Sequence, residues 1–71
     1  MNRVTVESSN IKSIGYESEE MILEVEFLNG RVYWYMGVTG LVYGEFMQAE
    51  SKGKYFNQYI KGRYVWTERI I

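Results

Sequence analysis

Leu23-Glu24-Val25-Glu26-Phe27-Leu28-Asn29-Gly30-Arg31-Val32-Tyr33-Trp34-Tyr35-Met36 is the stretch on which the fold turns. Leu23, Val25 and Phe27 recur at period two with Glu24 and Glu26 between them, the pattern of a strand wet on one side, and it predicts a strand over 20–28. Residues 31–38 repeat the alternation. An Asn-Gly pair in a two-residue loop favours a type I′ turn, whose two central positions need positive φ and whose twist suits the flanking strands. That turn sets Leu28 opposite Arg31, Phe27 opposite Val32, Val25 opposite Trp34 and Leu23 opposite Met36. The last six of these form one apolar sheet face, while Glu26 meets Tyr33 and Glu24 meets Tyr35 on the other.

Working outward, residues 10–16 predict a further strand, joined through the acidic turn Glu17-Ser18-Glu19-Glu20 into a meander with the hairpin. Its inward face is ambiguous, because Ile11 and Ile14 have opposite parity. Val4 and Val6 also alternate, so a strand begins near the N-terminus and a bulge or bend falls around Ser8-Ser9-Asn10. Past Val38 the period becomes helical: Val42, Tyr43, Phe46 and Ala49 predict a helix over 40–50 with Thr39 as its N-cap. Gly44 weakens that helix while allowing close approach to the sheet. Tyr55, Phe56, Tyr59 and Ile60 stripe a second short helix over 54–61, set off by Ser51-Lys52-Gly53. The β-formers of 64–71 supply an edge strand or a segment packed across the sheet. The expected fold class is α+β: one domain, 1–71, an antiparallel meander turning at Asn29-Gly30, covered on one face by two short helices and followed by a C-terminal extended segment or strand.

Composition bounds the function. With no His and no Cys among 71 residues, the common general base, the thiolate nucleophile and the best transition-metal ligands are missing. So short a chain buries only roughly 60% of its unfolded surface, and a stability of about 4–10 kcal/mol is the expectation. Seven Tyr, three Phe and two Trp exceed what a thin core holds, which favours a homo-oligomer. No run approaches a membrane span, and Met1-Asn2-Arg3-Val4 does not open a signal peptide, so a cytoplasmic location is the default. The net charge of −1 is uneven: residues 1–51 carry three Lys/Arg against eight Glu, residues 52–71 five against one. The basic end is the natural anion-facing end, set against its plainer role as a solvated surface with lysines compensating helix dipoles.

Ser9-x-Ile11-x-x-Ile14-Gly15-Tyr16, Leu23-x-Val25-x-Phe27-x-Asn29-Gly30, Tyr33-x-Tyr35-x-x-Val38 and Ala49-x-Ser51-x-Gly53-x-x-Phe56-Asn57, followed by Ile60, follow one another in order. Together they resemble the KTSC family, a short domain named from the C-terminal part of some lysyl-tRNA synthetases and also found as stand-alone bacterial and phage proteins. The resemblance covers nearly the whole chain. It departs at Thr39, where the family usually has Pro; Thr caps a helix where Pro would open its first turn. The family implies an association with RNA and no established catalytic activity.

For a nucleotide or short RNA, Tyr33 and Tyr35 on the outer sheet face would stack bases. Lys52, Lys54, Lys61 and Arg63 would meet phosphates, and Ser51 with the backbone N–H groups near Gly53 would add a helix-start anion site. Asn57 joins this set, although its commoner role is to tie the second helix to the first. Glu24 and Glu26, across from the two tyrosines, oppose extended RNA. A nucleotide or cyclic oligonucleotide conflicts less with an acidic body, and a phage sponge for a host immune signal is the specific form of that expectation. The other classes are an RNA-binding accessory domain and a protein-interaction or oligomerisation module built on Tyr33, Tyr35 and Trp66. An enzyme is disfavoured: Ser51 beside Lys52 and Lys54 faintly resembles a Ser-Lys dyad, but such a dyad needs a buried lysine of lowered pKa and these lie in a polar turn. The acidic residues have no metal-ligand spacing, and no cofactor is expected.

Overall fold

A computed structural model describes residues 1–70. Five strands, β1 (Arg3–Thr5), β2 (Ile11–Glu17), β3 (Ile22–Phe27), β4 (Val32–Met36) and β5 (Trp66–Arg69), form one antiparallel sheet in the order β1-β2-β3-β4-β5. Helix α1 (Gly40–Gln48) and the short α2 (Lys52–Tyr55), which runs on into a π-helical turn over Phe56–Ile60, sit between β4 and β5 in the chain. This is the α+β meander with two short helices. The segment 64–71 resolves into edge strand β5; Ile71 lies outside the described residues.

The hairpin register differs from the expected one by a single residue. Val25 lies opposite Tyr33, Leu23 opposite Tyr35 and Glu24 opposite Trp34. Gly30 N–H donates to Phe27 O and Phe27 N–H to Arg31 O, both at 2.9 Å, so the loop has three residues. Gly30 stands at φ 90°, and Met21 is the one non-glycine residue at positive φ among those described. Asn29 therefore lacks the left-handed conformation of a type I′ turn, and the loop is a type I turn closed by a G1 bulge. A one-residue slip exchanges the faces. Tyr33 and Tyr35 turn to the helix side with Leu23, Val25 and Phe27, while Val32, Trp34 and Met36 join Glu24 and Glu26 on the outside.

In β2 the pairing shifts between Ile11 and Ser13, so one residue is extra there and both Ile11 and Ile14 turn inward. That bulge falls just after the expected break. The core on the helix side comprises Ile11, Ile14, Leu23, Val25, Tyr35, Val38, Phe46, Phe56 and Ile60. Thr39 Oγ1 accepts from Val42 N–H at 3.3 Å and Ser51 Oγ from Lys54 N–H at 3.2 Å, capping α1 and α2. Tyr16 fixes α1 to the sheet by stacking on Tyr43 at 4.7 Å and donating to Val38 O at 2.6 Å.

Gly44 faces open space and brings no helix closer to the sheet; the close approach is at Gly15, where a Cβ would sit 2.8 Å from Asn2 O beside β1. On the outer face Glu26 accepts from Ser13 at 2.7 Å, Glu24 accepts from Trp34 Nε1 at 3.2 Å, and Arg3 lies 3.8–4.0 Å from both carboxylates. The Arg69 guanidinium covers the Trp34 ring at 4.0 Å. Among the described residues no helix is long and apolar enough to cross a membrane.

Candidate functional site

Between the inner sheet face and the π turn lies a pocket of about 380 Å³. Its floor follows from the alternation of the strands. Phe27 from β3, Tyr33 and Tyr35 from β4 and Trp66 from β5 project to the same side, and Phe56 descends from the π turn to meet them. The rings pack edge to face, with Phe27–Tyr33 centroids at 5.6 Å, Phe27–Phe56 at 5.4 Å, Tyr35–Phe56 at 5.5 Å and Tyr33–Trp66 at 5.6 Å. Each ring edge, positively polarised, meets a neighbour's negative face, so the floor is held in one arrangement.

The rim is polar. Asn10, Asn29, Asn57, Lys61 and Gly62 line it. In the π turn Lys61 N–H donates to Phe56 O at 2.9 Å, and the chain leaves through an extended Lys61 and Gly62 at φ 78°. Asn29 Oδ1 accepts from Arg31 N–H at 2.9 Å, and Asn10 Oδ1 accepts from Ser8 Oγ at 3.1 Å. The exposed Lys61 ammonium has no hydrogen-bond or ion-pair partner among the described residues.

Among the described residues no carboxylate lines the pocket. Burial first, and then the neighbouring Tyr33, pushes the Tyr35 phenol up to about 12, so it remains a neutral donor at any physiological pH. Among the described residues its hydroxyl has no hydrogen-bond partner, yet no buried side-chain polar atom is left unpaired; the hydroxyl therefore opens on the pocket. At one edge the Tyr33 hydroxyl and the Glu68 carboxylate, 3.9 Å from Arg31 Nη1, hold the Arg31 guanidinium above its ordinary value. The whole is a pocket with a floor of edge-to-face aromatic rings, a rim of neutral donors and acceptors, and one cation, Lys61, without a partner among the described residues.

Of the residues singled out from sequence, Tyr33, Tyr35, Asn57 and Lys61 come together here. The two tyrosines do so from the inner face rather than the outer one, and Glu24 and Glu26 no longer stand across from them. Ser51, Lys52, Lys54 and Arg63 do not line the pocket. Ser51 is occupied as the α2 cap, Lys52 Nζ bends back to Ala49 O at 2.5 Å, and Arg63 Nε donates to Gln58 O at 3.0 Å. Gly53, at the expected anion site, lies against the Asn10 side chain and does not line the pocket.

Sequence reasoning passed over Asn10, Phe27, Asn29, Phe56 and Gly62 as site residues. Phe27 and Phe56 read as core, which they also are; Asn10 and Asn29 carried only turn signals. The Phe56-Asn57 pair in the ordered motif set is a sequence signal that falls in this pocket, although it reads there as core and helix tie.

A family model described as KTSC domain matches residues 7–64. The chain is 42% identical over 70 residues to an uncharacterised protein of Stutzerimonas stutzeri, covering 99% of each. It is 41% identical over 62 residues to a lysine–tRNA ligase of Nostoc punctiforme; the match takes in 87% of this chain and 11% of the ligase. The crystal structure of a KTSC domain protein from Yersinia pestis superposes with a TM-score of 0.93 at 38% identity, over 97% of both chains.

Proposed function

This chain belongs to the KTSC domain family, and from that premise we propose that it is a binding module whose pocket captures a nucleotide or a short stretch of nucleic acid without chemistry. The observation that carries the reading is the meeting, in about 380 Å³, of an aromatic floor, amide side chains and a free lysine with no carboxylate among them. A base stacks on rings of either tyrosine or tryptophan regardless of its identity, amides match base edges, and an ammonium meets a phosphate as a point charge. The lysine–tRNA ligase relatives support the reading, since a segment like this chain forms part of an enzyme that acts on a tRNA. Binding without turnover fits a chain that has no His or Cys. In a stand-alone protein such capture is stoichiometric, and a cyclic oligonucleotide signal is one ligand it would sequester.

The test is isothermal titration of the folded protein with mononucleotides, cyclic di- and trinucleotides and short single-stranded RNA, its mass in solution recorded alongside. Saturable binding of one class supports the reading. No heat with any of them ends it.

A second reading, self-association, draws on the free edge of β5, along which Val65 is 76%, Trp66 56% and Ile70 87% exposed. An unpaired edge flanked by apolar side chains is a template for another strand. Sedimentation equilibrium over a concentration series checks it, with Val65→Lys expected to lower the mass if β5 mediates pairing. A monomer at every concentration excludes it.

A further inference from the structure

We infer that the pocket takes a single nucleotide unit, one base with one phosphate charge, and that Lys61 alone meets that phosphate; this deepens the nucleotide reading and rests on it. At about 380 Å³ the pocket lies near the lower end of the roughly 300–1,000 Å³ range of small-molecule sites, which suits one base and its sugar rather than two stacked nucleotides.

The basic end of the chain promised several phosphate contacts, yet the fold disperses it. Lys52 is turned back to Ala49 O and Arg63 to Gln58 O, which keeps their charges but holds them outside the pocket lining, and Lys54 lies outside it as well, while Arg69 covers Trp34 on the opposite sheet face. Arg31 is drawn to Glu68 at 3.9 Å. Lys61 is the one cation that lines the pocket, and it is exposed without a protein partner among the described residues. A ligand seated in the pocket meets one cation in its lining, with Glu68 close by.

The lining also assigns the parts of the ligand. Trp66, more than half exposed at the mouth, offers a ring face to a base, whereas Phe27 and Phe56 are committed to each other and to the tyrosines. Asn57 lies four residues before Lys61 in the same wide turn and supplies both a donor and an acceptor. The base therefore sits between Trp66 and Asn57, with its phosphate toward Lys61. Neutral amides discriminate by hydrogen-bond pattern, so the slot selects among bases even though it touches only one.

The experiment titrates the full chain with the four ribonucleoside 5′-monophosphates and with homopolymeric ribohexanucleotides, between about 50 and 200 mM salt. The preferred monophosphate is expected to bind within a few-fold of its hexanucleotide. The slope of log K against log salt for the hexanucleotide is expected near −0.7, the value of about one neutralised phosphate on a single strand. Lys61→Gln should weaken binding about tenfold and bring the slope near zero, with Lys54→Gln changing neither; both sites are exposed, and an unchanged urea midpoint verifies folding. A hexanucleotide bound hundreds of times more tightly than its monophosphate, or a slope of −2 or steeper that survives Lys61→Gln, overturns the single-unit inference while leaving nucleotide binding in place. Absence of binding by every probe overturns the underlying reading instead.

Discussion

The Tyr35 ring stands edge-on to the Phe56 ring, centroids 5.5 Å apart and planes at 76°. One ring comes from β4 and the other from the π turn, so this pair, with Phe27–Phe56, joins the sheet to the second helical segment. Both rings are buried, and both also line the pocket. Core and candidate site are thus built from the same side chains, and a change to the floor is read in stability as well as in binding.

Phe56→Ala removes a buried ring that touches Phe27 and Tyr35. Such truncations cost about 3–5 kcal/mol, most of what a domain of this length possesses. Urea unfolding followed by tryptophan fluorescence should show the midpoint collapse toward zero, with Phe56→Leu intermediate. A loss below about 1 kcal/mol would mean that the π turn is not anchored in the core.

Tyr35 gives the fold an alkaline limit. Burial raises its phenol from 10 to about 12, so the native state holds this proton more tightly than the unfolded chain does. The resulting stabilisation is complete below pH 10 and is lost as pH rises from 10 to 12, with a slope of at most about 1.4 kcal/mol per pH unit for one proton. Tyr55, also raised to about 12 by burial and by Glu45, loses stability in the same direction. Tyr35→Phe should decline less steeply across that window than the parent, and parallel curves would refute the assignment.

Gly15→Ala puts a Cβ 2.8 Å from the backbone oxygen of Asn2. Backbone cannot turn aside as a flexible side chain does, so the expected cost is about 1–3 kcal/mol, or the release of β1 from β2. Amide hydrogen exchange distinguishes the two, because β1 alone loses protection in the second case.

Ser51 and Asn57 separate helix capping from ligand contact. Ser51→Ala deletes the α2 cap and should cost about 1 kcal/mol of stability while leaving nucleotide affinity unchanged. Asn57→Ala, at an exposed position, should stay within about 0.5 kcal/mol in stability and weaken binding roughly tenfold, the loss of about one hydrogen bond. Titration and urea unfolding of both variants check the pair, and an affinity loss confined to Ser51→Ala would restore the turn as the site.

Local chemistry carried much of the fold. Thr39 and Ser51 act as caps because a hydroxyl two or three residues before a free N–H can do so without help from the rest of the chain. The alternation of Leu23, Val25 and Phe27 likewise makes β3, and Glu24 and Glu26 do face outward from it. Site residues were legible where a polar side chain already had a ligand reading, as Asn57 and Lys61 did. Phe56 was hidden by its resemblance to ordinary core, and the promise of Lys52 faded once its ammonium found Ala49 O.

By itself the sequence determined a meander, a turn at Asn29-Gly30 and two short capped helices, since each depends on neighbours along the chain. Only the tertiary structure decided which face of β4 is inside. Asn-Gly serves both a two-residue I′ loop and a three-residue loop with Gly30 in the bulge, and Val32-Tyr33-Trp34-Tyr35-Met36 is apolar on both sides. Neither turn chemistry nor alternation could break that tie. It was broken by groups distant in sequence: Phe56 packs against Tyr35 on one face, while Glu24 and Arg69 hold Trp34 on the other. That choice of register turned the two tyrosines into the floor of a pocket.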